Sequence, residues 1–102
     1  MEKIIAGKRI KVNREGFLTD FSQWNKEIAD SIAKTSHIDL CKRHWELIAY
    51  LQEQFKKEIP MTVEMIENSN LVGVEEFYQL FPQGPLKTAS KIAGLPKPTS
   101  CI

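Results

Sequence analysis

The chain has few cysteines, no long apolar run and almost no excess charge, and each shortage excludes a class of protein. Its 102 residues include only two cysteines, Cys41 and Cys101, too few for a disulfide-rich scaffold. No apolar stretch approaches the roughly 20 residues of a membrane-spanning helix, and the opening MEKIIAGKRIKV lacks the pattern of a signal peptide. We therefore expect a cytoplasmic protein with reduced thiols and no membrane contact.

Signatures of metal, nucleotide and hydrolase sites are also missing. There is no C-x-x-C pair, and His37 and His44 are seven residues apart, a poor spacing for two ligands on one helical face. The five glycines occur singly, and no serine has the setting of a nucleophile elbow. We expect no metal and no cofactor. The net charge of +1 argues against a broad nucleic-acid surface, although a balanced total can hide a local basic patch.

What the sequence does contain is the composition of one folded domain, with 42% hydrophobic and 26% charged residues. The runs KII and RIKV, separated by AGK, predict a β-hairpin over about residues 3–12 with its turn at Gly7-Lys8. The segment NREG at 13–16 predicts a second turn, in which Gly16 supplies the backbone freedom.

Helical periodicity begins after Asp20. Asp20, Ser22 or Asn25 is a candidate N-cap of the first helix, and the longest helix is predicted from an N-cap at Asp39 to about Lys57. Three further helices are predicted in TVEMIENSN, capped by Thr62, in GVEEFYQLF, and in PLKTASKIAG, which opens on Pro85 and stops at Gly94. The fold class is therefore mainly α: a small N-terminal β-hairpin and about five helices (about 22–93), forming a single domain over 1–94.

The tail LPKPTSCI, residues 95–102, is predicted to be a flexible, extended arm. Pro96 and Pro98 keep Lys97 out of the α region. At about 3.1 Å per residue, such an arm reaches roughly 25 Å, far enough to place Cys101 in a partner's cleft.

Three stretches carry a family resemblance. The block LFPQGPLKTASKIAGLPKPTSCI, Leu80 to Ile102, resembles the C-terminal signature of the DsrC/TusE family, which ends at a penultimate cysteine. Upstream, GFLTDFSQWNKEIA and LCKRHWELIAYL resemble two further stretches of that family. Order and spacing agree over nearly the whole chain, so the resemblance implies a DsrC-like helical bundle with a C-terminal arm.

The resemblance implies sulfur handling on Cys101, as a sulfurtransferase component that acts with partner proteins. TusE-type members relay persulfide sulfur from a TusBCD-type complex to the thiouridylase MnmA, which uses it for tRNA 2-thiolation. Such a carrier acts on tRNA only indirectly. DsrC-type members are partners of dissimilatory sulfite reductase and usually carry a second cysteine where this chain has Ser90. A serine cannot form a sulfur–sulfur bond, which favours the TusE-like branch. A DsrC-like reductase partner and a single-cysteine regulator remain as alternatives.

Lysines near the arm are candidates for partner docking. Lys87, Lys91 and Lys97 precede Cys101 along the last helix and the tail, and we expect them to meet an acidic partner surface.

Of the other reactive groups, we expect Cys41 to be a small, partly buried residue at a helix start, Ser90 to be a helix-surface residue, and His44 to be packed and hydrogen-bonded. The aromatic residues expected in the core are Trp24, Trp45, Phe77, Tyr78 and Phe81.

A DNA-binding regulator is the competing class of function. The segment PMTVEMIENSNLVGVEEFYQLF places two short helices around a glycine-containing turn, which loosely fits helix-turn-helix spacing. The second of these helices carries Glu75 and Glu76 where a phosphate-facing helix needs basic residues. We therefore expect no direct DNA binding.

Overall fold

The protein, in a computed structural model, is a small β-hairpin followed by five α-helices, which confirms the predicted fold class. The structure describes residues 1–82 and 84–98; the predicted site residue Cys101 lies outside the described residues. The elements are β1 (Glu2–Ile5), β2 (Lys8–Lys11), a 3-10 helix (Phe21–Gln23), α1 (Lys26–Thr35), α2 (Lys42–Lys56), α3 (Val63–Asn68), α4 (Val74–Leu80) and α5 (Pro85–Ile92).

The hairpin is antiparallel, and its last pair is Ile5 with Lys8. Its turn therefore consists of Ala6 and Gly7, with φ of 53° and 77°, rather than the predicted Gly7-Lys8. Two consecutive positive φ angles match the right-handed twist of the strands, and here an alanine accepts one of them. Ile5 and Ile10 point inward and are buried, so one face of the hairpin covers the helices.

The helix starts are set by short polar side chains. The Asn25 side chain accepts a hydrogen bond from the Ile28 N–H and caps α1, while Asp20 caps the 3-10 helix before it. The predicted N-cap of α2 at Asp39 is wrong, because α2 begins after Cys41. The Cys41 N–H donates to Nδ1 of His44 at 3.0 Å, so the imidazole takes the role that a capping carboxylate would otherwise have.

The core lies where α1 and α2 pack against α5, with the hairpin covering α1. Phe77 and Phe81 are fully buried, and Trp24 and Trp45 are partly buried against the core, as predicted. Tyr78 was expected in the core and is instead 41% exposed, because it lies on the outer side of α4. Within residues 1–82 and 84–98, no helix has the length and apolarity needed to cross a membrane.

Candidate functional site: the root of the C-terminal arm

Helix α5 carries the chain to the arm and is anchored along its length. Gly84 has φ of 61°, a left-handed conformation that turns the chain into the helix, and Pro85 follows at the first helical position. Leu86, Ala89 and Ile92 of α5 are fully buried. The helix is therefore a fixed base for the residues that follow it.

Two side chains from other helical regions bind the carbonyl groups at the end of α5. The Trp24 indole Nε1 donates a 2.8 Å hydrogen bond to the Ile92 carbonyl oxygen. The Gln52 amide Nε2 donates a 2.9 Å hydrogen bond to the Ala93 carbonyl oxygen. Because the last carbonyls of a helix have no partner within it, these bonds satisfy groups that water would otherwise have to solvate.

Gly94 then turns the chain out of the helix at a point where only glycine fits. Its φ is 75°, and a Cβ atom built on it would lie 2.5 Å from the Trp24 ring. The next N–H, that of Leu95, bonds back to the Ser90 carbonyl oxygen at 3.0 Å. This is the glycine-terminated helix end known as the Schellman arrangement, and here it sets the direction in which the arm leaves.

The first residues of the predicted arm lie against the body. Leu95 is fully buried and Pro98 is buried, whereas Pro96 and Lys97 are exposed. Cys101 follows Pro98 by three residues and lies outside the described residues. The division into a domain over 1–94 and a flexible arm over 95–102 therefore stays a prediction. The residues where the arm begins, 92–98, are called the arm root below, and they pack against the body through Leu95 and Pro98.

The structure brings the three predicted docking lysines together around one carboxylate. The Lys97 ammonium pairs with Glu15 at 3.0 Å and so ties the arm to the turn after the hairpin. The Lys91 ammonium lies 5.0 Å from the centre of the Phe17 ring, in a cation–π contact. Lys87 lies one helical turn before Lys91, half-buried on α5. Their docking role stays a prediction.

The charges around Glu15 are unbalanced. A hydrogen bond from Lys97 lowers the pKa of Glu15, and the positive charges of Lys97, Lys87 and Lys91 add to this against partial burial. Burial lowers the pKa of Lys91, and repulsion from Lys87 and Lys3 lowers it further. Lys91 and its lysine neighbours therefore repel one another in the free protein, and an anionic surface would relieve that repulsion.

The near-zero net charge hides two oppositely charged regions. Residues 1–16 and 85–98, which meet at Glu15, carry eight basic and two acidic side chains. The other residues carry six basic and eleven acidic side chains. The hairpin and the α5 face thus form a local basic patch of the kind that a balanced total can conceal.

Ser90 was expected on the helix surface, and the structure shows that this is wrong. Its side chain is fully buried, and its hydroxyl donates to the Met61 Sδ at 3.6 Å. Ser90 faces inward because it lies four residues after the buried Leu86 and three before the buried Ala93, on the same face of the helix. Met61 therefore covers the position at which the family resemblance implies a second cysteine in DsrC-type members.

Cys41 and His44 form a close pair at the start of α2. Cys41 is exposed, not partly buried as expected, and its Sγ lies 3.2 Å from Nδ1 of His44. His44 is buried, and its Nε2 is 2.9 Å from the Leu80 carbonyl oxygen, so it is packed and hydrogen-bonded as predicted. Because Nδ1 accepts the Cys41 N–H, the imidazole proton lies on Nε2 and is donated to Leu80.

Comparisons with known proteins agree with the resemblance read from the sequence. Residues 4–102 match the family model described as "DsrC like protein". The sulfurtransferases TusE of Salmonella paratyphi A and Escherichia coli K12 are each 37% identical to the chain, in alignments that cover 97% of it and 98% of each relative.

Solved structures show the same likeness. DsrC from Allochromatium vinosum matches with a TM-score of 0.84 at 34% identity. The oxidised γ-subunit of the dissimilatory sulfite reductase (DsrC) from Archaeoglobus fulgidus matches with a TM-score of 0.80 at 34% identity. Both matches cover the whole of each chain.

Proposed function

Since the chain belongs to the DsrC-like protein family, it is a sulfur-relay carrier, and we propose that Cys101 is the residue on which the sulfur travels. The observation that carries this assignment is the arm root: Trp24, Gln52 and Gly94 fix the end of α5 and direct the following residues, which lead to Cys101. A fixed root with a short thiol-bearing segment suits a carrier that visits a donor and an acceptor in turn.

The transfer requires only thiol–persulfide exchange. The Cys101 thiolate attacks the outer sulfur of a donor persulfide, a new sulfur–sulfur bond forms on Cys101, and the donor's sulfur–sulfur bond breaks. The electron pair leaves on the donor's thiolate, so no external oxidant or reductant is needed. An unperturbed thiol has a pKa of about 8.5 and is mostly protonated near neutrality, so we propose that the partner's site promotes ionisation.

The buried Ser90 supports a single-thiol carrier. An intramolecular disulfide or trisulfide needs two cysteine thiols, and position 90 offers only a hydroxyl that donates to Met61. One thiol is nevertheless enough to accept, hold and donate one sulfur atom. This favours a relay like that of the relatives named sulfurtransferase TusE. We propose that the relay runs from a TusBCD-like donor complex to an MnmA-like thiouridylase, and that only the partner contacts tRNA.

The lysines beside the arm fit this role as a docking surface. Lys87, Lys91 and Lys97 surround a single acidic residue, Glu15; the pKa of Lys91 is lowered mainly by burial and further by repulsion from Lys87 and Lys3. We propose that they meet acidic side chains of the donor or of the acceptor around the channel that receives Cys101.

Restoration of tRNA thiolation tests the relay directly. Cells that lack their own TusE-type carrier should regain 2-thiouridine in tRNA when they express this chain, measured by mass spectrometry of tRNA nucleosides. The Cys101→Ser variant should restore none, and the matched Cys41→Ser variant should restore it fully. A wild-type chain that restores no 2-thiouridine would contradict the tRNA branch of the proposal.

A role with sulfite reductase is the second candidate. It is favoured by the solved relatives, one of which is named as a γ-subunit of the dissimilatory enzyme, and it is weakened by Ser90 at the second thiol position. Co-purification of the chain with a sulfite reductase, and no restoration of 2-thiouridine, would favour this candidate. The structure gives no support to direct DNA binding. Arg43 donates hydrogen bonds to both carboxylate oxygens of Glu76, on the second helix of the helix-turn-helix candidate, so this basic side chain is already paired within the protein.

A further inference from the structure

An open groove of about 600 Å³ lies between the end of α2 and the root of the arm. Its lining is mainly apolar and also includes Lys56, Glu58 and Lys97. The apolar residues that line it are Phe21, Phe55, Ile59, Pro60, Met61 and Pro98. Lys97 and Pro98, the last described residues, therefore form part of the groove wall.

Two large apolar side chains in this groove remain exposed. Phe55 is 37% exposed and Ile59 is 41% exposed. Among the described residues only five large apolar side chains are this exposed, and these two adjoin the same groove. Exposed apolar side chains that cluster in a concavity, instead of being scattered singly, mark a place where another surface binds.

The end of α2 is shaped to present Ile59 at this place. Glu58 adopts a left-handed φ of 61°, and the Ile59 N–H bonds back to the Gln54 carbonyl oxygen at 3.0 Å. A left-handed residue other than glycine costs roughly 1–2 kcal/mol. The reversal ends the helix and directs the chain into Ile59 and Pro60 at the groove.

The groove is also physically connected to the arm root. Phe21 lines the groove and stacks on Trp24, with ring centroids 6.1 Å apart and planes within 9°. Trp24 in turn contacts Gly94 and binds the Ile92 carbonyl. A group that enters the groove therefore touches the same cluster that sets the direction of the arm.

The reach of the arm restricts the occupant to a protein that reacts with Cys101. Cys101 is three residues beyond Pro98, a distance of at most about 11 Å along an extended chain. Any protein whose persulfide reacts with Cys101 must therefore come within about that distance of the groove wall. Among residues 1–82 and 84–98 Lys56 forms no ion pair, so this lysine, which lines the groove together with Glu58, is available to a partner's carboxylate.

We propose that this groove docks an apolar side chain, flanked by an acidic residue, of the protein that donates sulfur to Cys101. The inference rests on the proposed relay function and adds to it the anchor that holds the donor while the sulfur moves. The apolar contact supplies affinity, and Lys56 selects a partner with a carboxylate beside its anchor.

The test compares two sulfur sources on the full-length Phe55→Ser/Ile59→Ser variant. Glutathione persulfide needs no docking surface, whereas a persulfidated TusBCD-type complex has to dock. We expect the rate of Cys101 loading by glutathione persulfide to change less than about twofold and loading by the protein complex to fall at least about tenfold. Tyr78→Ser, which removes an equally exposed aromatic side chain on α4, should leave both rates unchanged.

Unchanged loading of the double variant by the protein complex would overturn the inference. So would faster loading by glutathione persulfide, since it would mean that the tail itself fills the groove. If the double variant is unfolded by circular dichroism, Ile59→Ser alone and Lys56→Glu give the same comparison, each slowing only loading by the protein complex. Failure of both sources to load wild-type Cys101 would instead refute the proposed carrier function, and the inference with it.

Discussion

A Cβ atom at Gly94 would lie 2.5 Å from the Trp24 ring, so these two residues fit only while position 94 is glycine. Their contact closes a loop of 70 residues and brings the segment after the hairpin against the end of α5. The indole also binds the Ile92 carbonyl, so that packing and hydrogen bonding act at the same place. The direction of the arm is therefore a property of the folded core.

Substitution of Gly94 by alanine should destabilise the protein by about 2–4 kcal/mol, since it adds a left-handed alanine and a clash with Trp24. Urea denaturation followed by circular dichroism measures the change. The matched control is Gly73→Ala, where φ is −78° and a Cβ meets nothing within 4 Å. The control should cost no more than about 1 kcal/mol, and equal losses in the two variants would contradict the role of Trp24.

Local sequence signals predicted the ends of the helices well, but they did not predict the long-range contacts between them. Proline at 85 and glycine at 94 mark both ends of α5, and Asn25 and Thr62 cap their helices as predicted. These signals act within one or two helical turns and therefore appear in the sequence. The bond between Trp24 and Ile92 spans 68 residues, and no local pattern reports it.

The errors at Ser90 and at the start of α2 have different origins. Ser90 is buried because Met61, 29 residues away, covers it, and a serine among lysines gives no sign of that. Cys41 replaces Asp39 as the N-cap because His44 supplies the acceptor for its N–H. A histidine three residues after a small side chain was the available signal, since this is the spacing of a capping box.

Because Ser90 is buried, a thiol placed at that position should react slowly with reagents in solution. Ser90→Cys, in a Cys101→Ser background, should fold normally, because the two side chains are similar in size. The introduced thiol should react with iodoacetamide at least about tenfold more slowly than Cys41, which is exposed and serves as the internal control. Equal rates in the native protein would show that position 90 is accessible; in urea the rates should converge.

The ion pair between Lys97 and Glu15 predicts a pH effect. Because the hydrogen bond from Lys97 is the main cause of the lowered pKa of Glu15, Lys97→Met should raise that pKa towards its ordinary value of 4.5. Lys87→Met should raise it less, because Lys87 acts only through its charge. Carbon NMR of the Glu15 side chain during a pH titration measures both, and an equal or larger effect of Lys87→Met would contradict the assignment.

The same ion pair also predicts how the stability of the folded protein changes with pH. The pKa of Glu15 is lower in the folded protein than in the unfolded chain, so its contribution to stability is present above about pH 4.5. It is lost as the pH falls through the lowered value. In Lys97→Met this acid-dependent part of the stability curve should shrink, as urea midpoints between pH 2 and pH 7 will show.

The basic patch predicts salt-dependent transfer. Lys87→Glu should slow loading of Cys101 by a persulfidated TusBCD-type complex several-fold at low salt, and the effect should fade as salt screens the charges. The control is Lys42→Glu, an exposed lysine at the start of α2 that lies outside the residues of the basic patch. If the two reversals slow transfer equally, the patch has no special role in docking.

Mass spectrometry of the C-terminal peptide tests the central claim, that Cys101 carries the sulfur. The reduced wild-type protein is incubated with a persulfide donor, alkylated and digested, and the mass of its C-terminal peptide is measured. We predict one added sulfur atom on the C-terminal peptide of the wild-type and Cys41→Ser proteins, and none on that peptide in Cys101→Ser. An unmodified Cys101 in the wild-type protein, or undiminished sulfur uptake by Cys101→Ser, would contradict the account.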